Sequence, residues 1–101
     1  MVASPPTFPA SFANRGPEVA LTASGVAIVS TIFGDRWGAM CGTSMATPIA
    51  TGVLARRLAA SPAVLAMPRD GTRAAAIVKL ARDHAGDLGL APRMQGAGLA
   101  R

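Results

Sequence analysis

Short β-branched runs occupy the chain up to residue 32, and longer Ala- and Leu-rich runs follow residue 43. The first group predicts strands. Val19 to Leu21 is a short strand candidate, Ala23-Ser24-Gly25 turns the chain, and Val26 to Ile32 (VAIVSTI) predicts a second strand. Phe33 to Gly38, with Gly34-Asp35 and the lone Trp37, predicts an exposed loop. From Ser44 the run SMATPIATGVLARRLAA predicts a helix to Ala60, with Thr43 at its N-cap. No charge interrupts this run before Arg56, so its first three turns are expected to be buried nearly all round. Pro48, in the first turn or just beyond it, is either tolerated there or bends the helix. Ser61-Pro62 opens a short helix, SPAVLAM, which Pro68 to Gly71 ends. Thr72 is then expected to cap the amphipathic segment TRAAAIVKLARDHAG. Ala76, Ile77, Leu80 and Ala81, joined by His84, form its apolar stripe, Arg73, Lys79, Arg82 and Asp83 face water, and Gly86 closes it. Residues 1–11, rich in proline, predict an extended lead-in, and Phe12 to Gly16 (FANRG) a turn. The Gly-rich tail is expected to return Gly98-Leu99-Ala100 against the body.

Composition sharpens this picture. Half of the 101 residues are apolar and only 15% are charged, which marks a packing sequence rather than a disordered one. One Trp, three Phe and no Tyr are few aromatics for an independent core of this length, which suits a piece of something larger. The net charge of +5 comes from scattered arginines, of which only Arg56 and Arg57 are adjacent. That pattern argues against nucleic-acid binding, which gathers cations on one face and adds stacking aromatics. Cys41 is the single cysteine, so neither an internal disulfide nor a cysteine metal cluster is expected. No carboxylate cluster resembles a calcium loop, and no zinc or phosphate motif is present, so no metal and no cofactor is expected. The apolar stretches fall short of the roughly 20 residues that a membrane span needs, and residues 1–11 do not read as a signal peptide.

The most specific string is Gly42-Thr43-Ser44-Met45-Ala46-Thr47-Pro48. A serine hydroxyl is a poor nucleophile at neutral pH, so a catalytic one needs a base and a site that stabilises the oxyanion formed on attack. A serine in the first turn of a helix has unpaired backbone N–H groups around it and the positive end of the helix dipole beside it. Gly42 allows a tight turn close to a substrate backbone, and Thr43 can hold Ser44 forward.

These seven residues resemble, without a break, the nucleophile segment of the subtilisin-like serine proteases (subtilases, peptidase family S8). The flanks extend the resemblance. Phe12 to Gly16, Val19, and Ala23 to Thr31 are similar to the stretch before the family's nucleophile, with Ser24 where a proline is usual. Ala81 to Gly89 and Gly96 to Leu99 resemble its late helix and glycine-bearing strand, without the tyrosine often found before that strand. The resemblance implies an α/β, three-layer fold with a mostly parallel sheet, of which residues 12–101 would be the C-terminal portion only. It implies a serine endopeptidase acting through Ser44 on protein or peptide substrates, with the Ser44 backbone N–H contributing to the oxyanion hole. It also implies a secreted parent protein.

The same resemblance implies a triad in the order Asp, His, Ser, and only Ser44 has a counterpart here. The sole histidine, His84, follows the serine and lies in the late helix. Asp35, Asp70, Asp83 and Asp87 lack the expected setting, and Asn14 belongs to the turn before the strands. The missing groups are therefore expected N-terminal to this sequence, and the chain alone is expected to be inactive. Trp37 and Phe33 are candidates for lining a substrate cleft or for packing, and Arg15 and Arg36 for meeting acidic substrate groups or for solvation. The alternative to an enzyme is a non-catalytic remnant that acts as a structural or protein-interaction module.

Overall fold

The computed structural model describes residues 8–101, so most of the expected lead-in at residues 1–11 lies outside it. Among the described residues two strands precede four helices: β1 Ile28–Ile32, β2 Arg36–Met40, α1 Thr43–Ala59, α2 Pro62–Leu65, α3 Gly71–Asp83 and α4 Pro92–Gln95.

The expected mostly parallel sheet is not what these residues form. The sheet is two-stranded and antiparallel, with Ile28 opposite Met40, Ser30 opposite Gly38 and Ile32 opposite Arg36. The reason lies in the connection. Only three residues, Phe33 to Asp35, join the strands, and a parallel pair would need a crossover of a dozen or more. Gly34 (φ 82°) and Asp35 (φ 55°) take the left-handed conformations that reverse the chain. The region read as an exposed loop is thus a hairpin turn followed by a strand that begins at Arg36. Val19 to Leu21 is not a strand. Next to it, Thr22 makes a single parallel bridge to Leu99, which in turn bridges Gly86 in the antiparallel sense.

The first helix follows the uncharged Ala- and Leu-rich run closely, but its cap differs from expectation. Gly42 occupies the N-cap with no side-chain cap bond, and Thr43 is already helical. Arg56 and Arg57 occupy the last turn, where cations favour the negative end of the dipole. The third helix is capped two residues earlier than expected. Asp70 Oδ1 accepts from the Thr72 and Arg73 amides at 3.0 and 3.2 Å, so Asp70 and not Thr72 is the cap. This helix ends at Asp83 with His84 as its C-cap, and Gly86 belongs instead to the bridge with Leu99.

Helix α1 packs against α2 and α3. The tail does return to the body, as expected: Thr22 N donates to Gly98 O at 2.9 Å, Ala100 N to Thr22 O at 2.8 Å, and Leu99 N to Gly86 O at 2.7 Å.

What this packing does not produce is a closed core. Among the described residues no hydrophobic side chain is fully buried, and α1, expected to be buried nearly all round, has no buried residue. The accessible surface is 7375 Å², against about 5,300 Å² for a folded monomer of this mass. The radius of gyration is 15.3 Å, against about 13 Å for a compact domain of this length.

Candidate active site

The start of α1 is set by two close approaches. Gly42 has φ 152° and ψ 161°, a conformation open in practice only to glycine, and its amide donates to Gly25 O at 2.8 Å. Gly25 is required for a different reason. A Cβ there would lie 2.9 Å from Gly42 O and 3.3 Å from Ala46 Cβ, so the Ala23-Ser24-Gly25 turn can press on the helix start only without a side chain. One residue earlier, the Ala27 amide donates to Cys41 Sγ at 3.2 Å. Two neighbouring contacts therefore hold Cys41 and Gly42 against the segment that enters β1.

Internal helix bonding begins with the amides of Met45 and Ala46, which both donate to Gly42 O, at 3.0 and 3.3 Å. The amides of Thr43 and Ser44 precede that point, among the donors that a helix cannot satisfy itself. Thr43 O accepts from Thr47 Oγ1 at 3.0 Å. Pro48, inside α1, has no N–H for the carbonyl of Ser44 four residues earlier. Both backbone groups of Ser44 thus stand outside the repeating ladder of the helix, and its side chain is exposed.

Ser44 stands beside a groove of about 430 Å³ between the hairpin and the first two turns of α1. The groove is apolar: Ile28, Ile32 and Met40 line it from the hairpin, and Met45, Pro48 and Ile49 from the helix. No charged residue and no histidine lines it. Of the motif residues, Ser44, Met45 and Pro48 line the groove. Gly42 and Ala46 meet the Gly25 turn, and Thr43 and Thr47 face outward on the exposed helix surface.

Other sequence candidates fall elsewhere. Phe33 is 94% exposed at the hairpin tip and Trp37 is 73% exposed on β2, and neither lines the groove. Arg36 Nε donates to Phe33 O at 3.4 Å, within the hairpin. Arg15 and Asn14 are exposed in the segment before Gly16. His84 Nδ1 lies 2.9 Å from Leu80 O of its own helix, at the exposed end of α3. Among the described residues no three His, Cys, Asp or Glu side chains gather as metal ligands would. No described helix is long and apolar enough to cross a membrane.

The sequence reading missed two features that shape the molecule. One is the close approach of Gly25, for which the Ala-Ser-Gly turn was the available signal. The other is Gln95, only 6% exposed, inside the Gly-rich tail. Its Nε2 donates to Asp87 Oδ1 at 2.8 Å and to Leu90 O at 2.6 Å, and its Oε1 accepts from the Leu88 amide at 2.8 Å. Asp87 Oδ1 also accepts from the Gly89 amide, and that bond, with the Gln95 amide second, holds its carboxyl below the ordinary carboxylate range.

The sequence model of the Subtilase family, peptidase S8, matches residues 4–98. The chain belongs to the subtilase family. A halolysin-like extracellular serine protease, Nep, of Natrialba magadii is 38% identical over 88 residues, covering 87% of this chain and 15% of its own length. An intracellular serine protease of Paenibacillus polymyxa is 39% identical over 88 residues, 87% of this chain and 26% of that protein. Subtilisin E of Bacillus subtilis is 47% identical over 53 residues, 52% of this chain and 14% of its own. The chain therefore spans about a quarter or less of these relatives. Their names place one outside the cell and another inside it.

Proposed function

We propose that this subtilase chain carries the nucleophile of a serine endopeptidase and that Ser44 is that nucleophile. The observation that supports the reading is the setting of Ser44: an exposed hydroxyl in the first turn of α1, before the first internally bonded amide, beside an apolar groove. In the proposed reaction Ser44 Oγ adds to the scissile carbonyl while a base takes its proton. The backbone N–H of Ser44 and the helix dipole favour the negative charge that develops on the carbonyl oxygen. Collapse expels the amine, which takes a proton from the protonated base, and water then hydrolyses the acyl ester. The rest of the motif serves this geometry: Gly42 permits the tight entry, Ala46 keeps the helix slim under the Gly25 turn, and Thr43, Met45, Thr47 and Pro48 shape the first turn and the groove.

The base and its orienting carboxylate are not among the residues near Ser44. His84 is engaged with Leu80 O, and neither His nor Asp lines the groove. Residues 12–101 are proposed to act as the C-terminal portion of a subtilase domain, with 1–11 as its lead-in. An N-terminal portion would supply Asp, His and the remaining walls of the site. Protein or peptide is the proposed substrate, and this chain alone is expected to be inactive.

The experiment compares casein cleavage by a complete domain carrying this sequence with cleavage by its Ser44→Ala variant. Turnover is expected to fall by several orders of magnitude and fluorophosphonate labelling to vanish, with folding nearly unchanged. Retained turnover in a clean S44A preparation would overturn the assignment. Steady casein cleavage by the isolated chain that Ser44→Ala abolishes would instead overturn the expectation that this chain alone is inactive.

A further inference from the structure

A second concavity lies away from Ser44, where the end of α3 and the start of α4 meet the segment after Gly16. It is an open cleft of about 380 Å³ lined by Arg82 and Arg93 together with Pro17, Val19 and Pro92. Its frame is fixed by backbone bonds. The Gly16 amide donates to Arg93 O at 2.9 Å, and the Ala97 amide to Ala20 O at 2.9 Å, so the arginine-bearing α4 is tied to the opposite wall.

The two guanidinium groups have no carboxylate partner among the described residues, whose ion pair is Lys79 with Asp83. Two nearby acids are engaged elsewhere, Asp83 by Lys79 and Asp87 by Gln95 and the Gly89 amide, and Glu18, exposed beside Pro17, forms an ion pair with neither arginine. The two exposed arginines present positive charge beside an apolar floor, and each can grip a planar carboxylate with two parallel hydrogen bonds. A phosphate nest would instead need converging free amides. Of the lining amides, those of Val19, Gly96 and Ala97 are already used, by Gly16 O at 3.3 Å, Pro92 O at 2.8 Å and Ala20 O at 2.9 Å.

We propose that this cleft binds an acidic peptide segment, with Arg82 and Arg93 each receiving a carboxylate and the proline floor receiving the peptide's apolar atoms. The site is separate from the chemistry proposed for Ser44 and does not depend on it.

The test is fluorescence anisotropy of a labelled hexaglutamate peptide titrated with a complete domain carrying this sequence, at low and high salt. Hexaglutamine serves as the neutral control. Binding of hexaglutamate is expected, weakening as salt rises, with none of hexaglutamine. The Arg82→Ala/Arg93→Ala variant is expected to lose about tenfold or more in affinity, whereas Arg56→Ala/Arg69→Ala, with the same loss of net charge, and Ser44→Ala leave it unchanged. Equal losses in the two arginine pairs would reduce the effect to net charge and overturn the proposal. Displacement of the peptide by inorganic phosphate, at concentrations where sodium chloride of equal ionic strength displaces nothing, would make the cleft a phosphate site and overturn the carboxylate assignment. Charges at both arginine pairs are exposed, so these variants remain comparable in fold; rescue of binding by Arg82→Lys/Arg93→Lys to no more than a fraction of the original affinity is expected from the loss of bidentate geometry.

Discussion

The region around Ser44 and the region around Gln95 are built on opposite plans. Near Ser44 the backbone is fixed tightly, by the Gly25–Gly42 and Ala27–Cys41 contacts, while the side chains it presents stay open. Val26, Val29, Trp37 and Met40 are all more than half exposed. Near Gln95 the plan is self-contained: its side-chain amide satisfies three neighbours, and Thr22, Gly86 and Leu99 close the backbone around it. The difference separates two kinds of incompleteness. A polar knot can be finished by a few residues close in sequence, whereas an apolar site needs walls on every side.

The sharpest way to break the comparison is to disturb the backbone contact that fixes the Ser44 region. Gly25→Val places atoms where Gly42 O already stands at 2.9 Å from a mere Cβ, so the helix start must shift. In a complete domain this substitution is expected to lower kcat/KM by about 100-fold through misplacement of Ser44. It is expected to cost about 1–3 kcal/mol of stability. Wild-type turnover in Gly25→Val would show that the contact does not position the nucleophile.

Next in size is the polar knot. Gln95→Ala leaves the Leu88 amide and the Leu90 carbonyl without partners, at an expected cost of about 1–3 kcal/mol by denaturant melting of the same domain. Activity should fall far less than with Gly25→Val, because the knot lies away from the groove. A larger loss of turnover than of stability would mean that the two regions are coupled.

These two sites also mark how far the sequence could be read. The span of α1 was legible because an uncharged Ala- and Leu-rich run has few other options. Its cap was not, because Thr43 has the right chemistry for a cap while the backbone conformation needed there belongs to Gly42. The strand Arg36–Met40 was hidden because RWGAM has little β preference of its own and becomes a strand by pairing with Ile28–Ile32. The string Gly42 to Pro48, which carries the family resemblance, lies at the start of a helix, as expected. The resemblance also carried an expectation of parallel pairing that a three-residue turn forbids between these strands. Gln95 was overlooked because a glutamine between Met and Gly has no local signature; its partners lie at positions 87, 88 and 90, in a loop whose shape the side chain itself sets.

The smallest expected effect is on acid sensitivity. Asp87 has its folded-state pKa depressed by the Gly89 amide and the Gln95 side chain, so its contribution is present above the unfolded carboxylate value, about 3.9. It is lost as pH falls through the lower folded value. Asp87→Asn should therefore flatten the decline in melting temperature below about pH 4 and leave stability near neutrality only slightly reduced. An unchanged acid limb would show that the carboxylate plays no part in holding the knot.

The apolar surface around Ser44 is proposed to be one side of a site completed by further protein. The most direct measurement is size-exclusion chromatography with light scattering of the isolated chain, alongside thermal melting followed by the near-ultraviolet circular dichroism of Trp37. Oligomer, aggregate or a molten chain is expected, with no sharp transition in the Trp37 signal, because burying one Val- or Leu-sized side chain is worth about 1.5–3 kcal/mol and the described residues include no fully buried hydrophobic one. A monomeric peak at 10.2 kDa with a rigid Trp37 signal and a sharp cooperative melt would contradict that proposal, and would make the chain an autonomous module instead.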